Sequence, residues 1–322
     1  MKAFLTGGTG FIGTHLIDLL LARGAEVYAL VQNPIKEQAL LQKEVHVLRG
    51  DLFSIPALPA GLDTVFHLAG KTRSLNPNRY YTVNQEGTAS LFRSLIRLQE
   101  RPKVVVLSSQ AAVGPSLSGR PVKETDPPHP ITPYGRSKLG GEQEALRFGN
   151  EFPVVIVRAC SVFGPRDRDF LAYFRLAAKG IALSLGEGKA AHIIYVKDLA
   201  EALFLCARAK LPSGEIFHIA DAQTYTWEQL GMTAAAAFGR RCRKVKIPKG
   251  LFYLASVFCE AGNHLTGNPG LLSRDKYRDM TQPGWLIDVG KAAEILSFRT
   301  HYRLDQAVQE TISWYLAAGW MR

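Results

Sequence analysis

The sequence predicts an α/β fold, a doubly wound parallel sheet with a smaller C-terminal part interleaved with it. Three observations carry that prediction. Short apolar runs alternate with amphipathic segments through the first half of the 322 residues. The runs are nearly continuous rather than alternating, as strands covered on both faces are. The glycine-rich stretch "TGGTGFIG" directly follows the first run. Helices interposed between strands cover both faces of a sheet and make its strands run parallel.

In chain order, "KAFLT" is the first strand. Behind the glycines, Ile12, Leu16, Leu19 and Leu20 recur at helical spacing, and Gly24 ends that helix because it can adopt positive φ. "EVYALV", "HVLRG", "TVFHLAG" and "KVVVLSS" read as the second to fifth strands; "PVVIVRA" is the sixth, after a helix from about 134 to 148. Past Gly164 the rhythm breaks. "GPRDRDFLAYFRLAAKG" begins an excursion, "HIIYVKDLAEALFLCAR" returns as strand then helix, and "GEIFHIA" is another short strand. Thr226 and Gln229 stand at capping-box spacing before a further helix, and the tail from Ile247 is mostly helical.

Composition bounds the function classes. The net charge is +11, from 39 basic and 28 acidic residues, and it reads mainly as scattered solubilising charge. The one concentration, Arg240, Arg241, Arg243, Lys244, Lys246 and Lys249, alternates with Val245 and Ile247 like an edge strand guarded by cations. No nucleic-acid partner is expected. Four cysteines without a C-x-x-C pair predict reduced thiols, no metal site and a cytoplasmic protein. Glycines interrupt the apolar N-terminus, so no signal peptide is expected, and no run reaches the roughly 18 apolar residues of a membrane span. "LFYLASVFCEAG" reads as a buried helix or a substrate lid rather than a membrane contact.

The glycine loop lies where a doubly wound sheet binds nucleotides. Gly7 and Gly10 let backbone N–H groups approach a pyrophosphate, Gly13 lets the helix pack on the strand, and the helix start adds partial positive charge. No Gly-Lys-Ser/Thr follows, which excludes a P-loop kinase. Residues 1–165 are therefore expected to form a dinucleotide-binding domain to which 192–220 returns. The remainder of 166–322 forms a smaller substrate domain. At the end of the second strand Val31, Gln32 and Asn33 replace the carboxylate that usually holds the NAD ribose. That leans the choice of NADP or NAD toward NADP, although Lys36 is the nearest cation.

Ser108 and Ser109 end the fifth strand at the cofactor edge, and Tyr134 and Lys138 share one face of the following helix. A free tyrosine with a pKa of about 10 is a poor base near neutrality; a neighbouring ammonium favours its phenolate form. Ser109 would hold a substrate oxygen while Tyr134 moves its proton.

With "TGGTGFIG", "GDL", "HLAG", "VNQEGT", "SSQAAVG", "YGRSK" and "VFGP" in register, the chain resembles the extended short-chain dehydrogenase/reductase family, also called the NAD-dependent epimerase/dehydratase family. The resemblance implies an NAD(P)-binding enzyme. It implies cofactor contacts from Gly7, Gly10, Phe11, Ile12, Gly13, Gln32, Asp51, Leu52, Ala69, Gly70 and Lys138. Ser109, Tyr134, Lys138 and the active-site asparagine Asn84 form the implied catalytic set. Relatives often pair as homodimers through two long helices, here near 79–98 and 134–148.

Departures from the family pattern narrow the chemistry. Family dehydratases carry Asp-Glu after the catalytic Ser/Thr; this chain has Gln110 and Ala111, and alanine cannot transfer a proton. Nucleotide-sugar members carry an Asn where Ser161 stands and an Arg within the "GEGKAAHIIYV" region, where His192, Ile193 and Ile194 stand. His192 reads as structural. The remaining pattern resembles dihydroflavonol-reductase-like and 3β-hydroxysteroid-dehydrogenase-like proteins. The expected activity is interconversion of a ketone and a secondary alcohol. Gln110, Ser161 and Phe163 are candidate substrate contacts, with Tyr173, Phe174 and 251–258 as further pocket walls. The alternatives are a nucleotide-sugar 4-epimerase holding NAD, and a non-catalytic relative that senses NADP or binds RNA.

Overall fold

Residues 1–184 and 189–321 are described by the computed structural model. The apolar runs form a seven-stranded sheet: β1 (Lys2–Thr6), β2 (Glu26–Val31), β3 (His46–Arg49), β4 (Thr64–His67), β5 (Lys103–Ser109), β6 (Val154–Ala159), and the returning Glu215–Ile219. From one edge the order is Glu215–Ile219, β6, β5, β4, β1, β2, β3, and every neighbouring pair is parallel. All six residues of β6 and all four of β4 are buried, which explains their unbroken apolar runs.

Helices fill both faces. On one side Leu16, Ile17 and Leu20 of helix Phe11–Ala22 pack with Leu199 and Leu203 of helix Val196–Arg208. On the other, Leu91, Phe92 and Leu95 of helix Gly87–Leu95 pack with Ala145 of helix Pro133–Leu146. Gly24 takes φ +69°, as its place after the first helix predicts.

The C-terminal lobe is woven into this layer. β7 (Ser161–Phe163), β8 (Ile181–Ser184), β9 (Ala190–Tyr195), β10 (the returning Glu215–Ile219), β11 (Thr224–Thr226) and β12 (Arg243–Lys246) complete the strands. β11, β9 and β7 make a three-stranded sheet, and β12 pairs with β8. The expected capping box forms: Thr226 Oγ1 accepts from Gln229 N at 3.1 Å, and Gln229 Oε1 accepts from Thr226 N at 2.7 Å. Phe163, Phe170, Phe174, Leu230 and Tyr315 form this lobe's core. Val122 bridges Ile287 and Ala191 bridges Trp285, so the late segment 285–287 threads back between β9 of the small sheet and the loop at Val122.

One expectation is corrected. Helix Lys249–Thr266 exists, but it is not a buried helix: only Phe252 and Ser256 are buried. The turn before β9, Gly186 to Gly188, lies outside the described residues.

Candidate active site

Gly7 takes φ +76°, and a Cβ there would lie 2.5 Å from Ala69 N. A Cβ on Gly13 would lie 2.2 Å from Gly7 O, so only glycine lets the first helix start this close to the end of β1. Gly10 is the N-cap and no side chain caps this helix. A Cβ built on Gly10 would lie 3.2 Å from Gly7 O. Phe11 and Ile12 supply the first of the uncapped N–H groups. An anion would complete them, so the loop fits a pyrophosphate.

At the tip of β2, Gln32 is exposed, and Asn33 Oδ1 accepts from Ile35 N at 3.0 Å to form the next turn. Register places Val31 beside Arg49 of β3, whose guanidinium forks onto Glu37 at 2.8 and 3.0 Å. Arg49 is a cation at this edge that reading along the β2 turn misses; only strand register brings it there. Asp51 Oδ1 accepts from Phe53 N at 2.8 Å and Ser54 N at 2.9 Å, which shapes the loop leaving β3, and Leu52 packs beneath Gly87.

Ala69 and Gly70 cross the sheet edge between β4 and the helical layer. Ala69 N donates to Thr6 Oγ1 at 3.3 Å; a Cβ on Gly70 would lie 3.2 Å from Asn84 Oδ1 and 3.8 Å from Lys138 Nζ. Asn84 sits in a π-helical turn, Thr82–Glu86, a distortion often found at functional sites. Its amide is fully engaged within the protein: Nδ2 donates to Lys71 O at 3.0 Å and to Ser137 Oγ at 2.8 Å, and Oδ1 accepts from Lys71 N at 2.7 Å. It therefore ties the loop after β4 to the Tyr134 helix. Below it, His67 bridges Thr6 Oγ1 at 2.7 Å and Thr88 Oγ1 at 2.9 Å; burial, aided by the Lys138 charge, lowers its pKa to about 3.

Thr132 caps helix Pro133–Leu146, with Pro133 at its first position, and so fixes where Tyr134 starts. Ser109 is hydrogen-bonded to the Tyr134 phenol. Its Oγ also accepts from Ala111 N at 3.1 Å. Lys138 Nζ donates to Leu107 O at 2.7 Å, and burial pushes its pKa down to about 8 against the opposing pull of Glu142. The expected acidification of Tyr134 by Lys138 is not what this geometry produces. Burial raises the phenol, the Ser109 hydrogen bond offsets part of that rise, and the ammonium is directed at a backbone carbonyl.

Beneath the pair, Glu142 and Arg158 form a buried ion pair at 2.7 Å, each 2% exposed, and Ser108 Oγ donates to the same carboxylate. The pair anchors the Tyr134 helix to β6 and β5.

Tyr134 opens onto a cleft of about 780 Å³ between the sheet edge and the C-terminal lobe. Its apolar wall includes Phe170, Tyr173, Leu176, Leu183, Trp227 and Phe252. Ser161 lines the cleft, but Phe163 and Phe174 do not: both pack in the lobe's core, Phe163 being 2% exposed. Gln110 is also buried away from it, its Nε2 without a partner among the described residues. The arginines lining the cleft are paired, Arg73 with Asp169, Arg274 with Glu260 at 2.9 Å, and Arg278 with Asp275 at 3.5 Å, and Lys276 lines it as well. His192 is structural, its Nδ1 accepting from Ile287 N at 3.1 Å.

Sequence reasoning missed Asp279. It lines the cleft on helix Arg274–Thr281, its Oδ1 has no partner among the described residues, and burial raises its pKa to about 6. Its charge also acts on Tyr134 and Tyr80. No motif marks it, because packing of the late lobe alone brings it to the site.

A seven-stranded parallel sheet, an anion-ready glycine loop and a Ser-Tyr-Lys set at one edge define a Rossmann-type dinucleotide-binding enzyme. Comparison agrees: the NAD dependent epimerase/dehydratase family matches residues 3–220, and this chain belongs to it. It is thus an enzyme of the NAD-dependent, extended short-chain dehydrogenase/reductase type. It is 28% identical over 323 residues to a ceramide reductase of Caulobacter vibrioides, covering 98% of this chain and 95% of the relative. It is 28% identical over 235 residues to a 4-hydroxy-2-methyl-3-oxo-4-farnesyl-3,4-dihydroquinoline-1-oxide ketoreductase of Stigmatella aurantiaca, covering 69% and 68%. The solved UDP-glucuronic acid 4-epimerase of Bacillus cereus, in complex with NAD, superposes with a TM-score of 0.77 at 21% identity over 99% of each chain. Reductases and epimerases thus share this architecture.

Proposed function

We propose that this chain is an NAD(P)-dependent oxidoreductase that interconverts a ketone and a secondary alcohol on a molecule with a long apolar body. The observation that carries this reading is the cleft: Tyr134 stands at its inner end, its wall is largely apolar and aromatic, and its arginines are already neutralised by carboxylates. Two similar proteins named as reductases, one for ceramide and one for a farnesyl-bearing ring, agree with such a substrate. Asp279, whose carboxyl is held by burial above the usual carboxylate range, lines the same cleft and adds no fixed charge at low pH.

Bound along the glycine loop, the nicotinamide dinucleotide supplies or takes the hydride. Tyr134, kept protonated by burial, gives its proton to the carbonyl oxygen during reduction, and Ser109 donates a hydrogen bond to the same oxygen. Lys138, fixed beneath by Leu107 O, would hold the cofactor through its ammonium rather than acidify the phenol. Asn84 holds the loop after β4 against this helix and acts by positioning. NADP is the favoured cofactor, because residues 31–33 at the β2 tip lack a carboxylate and Lys36 stands in the turn that follows, while Arg49 is already paired with Glu37. The alternative, a nucleotide-sugar 4-epimerase, draws on the cations around the cleft and on the NAD-bound epimerase of like fold.

Tyr134→Phe tests the assignment. Reduction of a long-chain ketone should fall about 10²–10⁴-fold while cofactor affinity, read by fluorescence titration, stays within about twofold. Unchanged turnover in that variant would remove Tyr134 from the chemistry.

A further inference from the structure

Helix Lys249–Thr266 presents two unlike faces. Its inner face sends Phe252, Glu260, Asn263 and His264 to the cleft. Outward, Leu251, Leu254, Phe258, Ala261 and Leu265 recur at spacings of three, four, three and four, which puts them on one stripe. All five are exposed, with Leu251 at 61%, Leu254 at 54%, Phe258 at 74% and Leu265 at 89%. Lys249, Tyr253, Cys259, Glu260 and His264, the helix's charged or titratable residues, all fall on other faces at 100° per residue. A helix that exposes its apolar side and keeps its charge elsewhere is seated on something.

The surroundings say what. Immediately before the helix, β12 is an edge strand with every residue exposed, Arg243, Lys244, Val245 and Lys246, and Arg240, Arg241 and Lys249 flank it in the open. Between 240 and 279 lie nine of the 39 cations and only three of the 28 carboxylates. Two of those carboxylates are accounted for inside the lobe: Glu260 is paired with Arg274, and Asp279 is buried toward the cleft. The exposed cations of 240–249 sit at the N-terminal end of the apolar stripe, whereas Arg274, Lys276 and Arg278 line the cleft on the helix's other side.

We propose that this face docks on a lipid bilayer carrying anionic headgroups. The stripe enters the acyl boundary, and the 240–249 cations lie on the headgroups. A second copy of the chain packed with its helix parallel fits less well, because that two-fold contact would bring the two cationic 240–249 segments together. Docked this way, the helix stands between the bilayer and the cleft, with lipid on one side and Phe252 on the other. This inference does not depend on the reaction, since the adsorption is read without substrate.

The test is cosedimentation of the full chain with two sets of vesicles, phosphatidylcholine alone and phosphatidylcholine with one quarter phosphatidylglycerol. The chain should sediment with the mixed vesicles and remain in the supernatant with the neutral ones. Leu254→Glu with Phe258→Glu should lower the partition coefficient at least about tenfold, and so should Arg243→Glu with Lys244→Glu. Each pair should retain the wild-type melting temperature and turnover of a short water-soluble ketone. Absence of wild-type adsorption to the mixed vesicles would overturn the proposal, as would full adsorption by either pair. A concentration-dependent dimer that the Leu254/Phe258 pair abolishes while vesicle binding persists would reassign the face to self-association.

Discussion

At the residue scale, the site depends on two groups whose protonation is set by burial. Tyr134 is held protonated through neutral pH and Lys138 titrates near 8, so reduction needs both in their acidic forms. The rate of ketone reduction should therefore be flat below about pH 7 and fall as pH rises through about 8. Lys138→Arg keeps its charge at every accessible pH, so that limb should move to higher pH even where the maximal rate is lower. A limb that stays in place in pH–rate profiles of the arginine variant would mean another group causes it. The tyrosine and lysine were legible in the sequence because four residues on a helix fix their relation locally. Their electrostatics were not: the Leu107 carbonyl that takes the ammonium belongs to β5, far from the helix in sequence. Asp279 and Arg49 escaped for the same reason, since only lobe packing and strand register bring them near the ligand sites.

At the element scale, helix Pro133–Leu146 is positioned by close approach and by one ion pair. A Cβ on Gly141 would lie 2.3 Å from Asn84 O, so the helix packs directly against the π-helical turn. Glu142 holds Arg158 and Ser108 from the opposite side. Glu142→Gln leaves a buried guanidinium without its counter-charge and should cost about 3–5 kcal/mol in denaturant unfolding. Glu142→Leu with Arg158→Met removes both charges and should recover most of that loss. A single variant as stable as wild type would show that the pair does not anchor the helix. The cap at Thr132 and the capping box at Thr226 were readable because each is a local hydrogen bond. Helix Lys249–Thr266 was readable as a helix but not as an exposed one. Apolar content predicts burial only when a partner surface exists, and this sequence places none over Leu254 and Phe258.

At the scale of the whole molecule, the large sheet supplies the cofactor edge and the late lobe supplies the cleft. The sheet was legible from its rhythm of buried runs and from the glycine loop behind the first of them. The lobe was legible only as a break in that rhythm, because its contacts, such as Val122 with Ile287 and Ala191 with Trp285, join segments roughly 100 residues apart or more. Among the described residues no helix is long and apolar enough to cross a membrane. The central claim is that this cleft reduces a carbonyl or oxidises an alcohol with net consumption of cofactor. Its most direct test is a stoichiometric turnover, with purified enzyme, reduced nicotinamide dinucleotide and a long-chain ketone, following nicotinamide absorbance and product together. One equivalent of reduced cofactor should be lost for each alcohol formed; conversion of a nucleotide sugar to its epimer with no net change in nicotinamide absorbance would replace the ketone–alcohol chemistry with epimerisation.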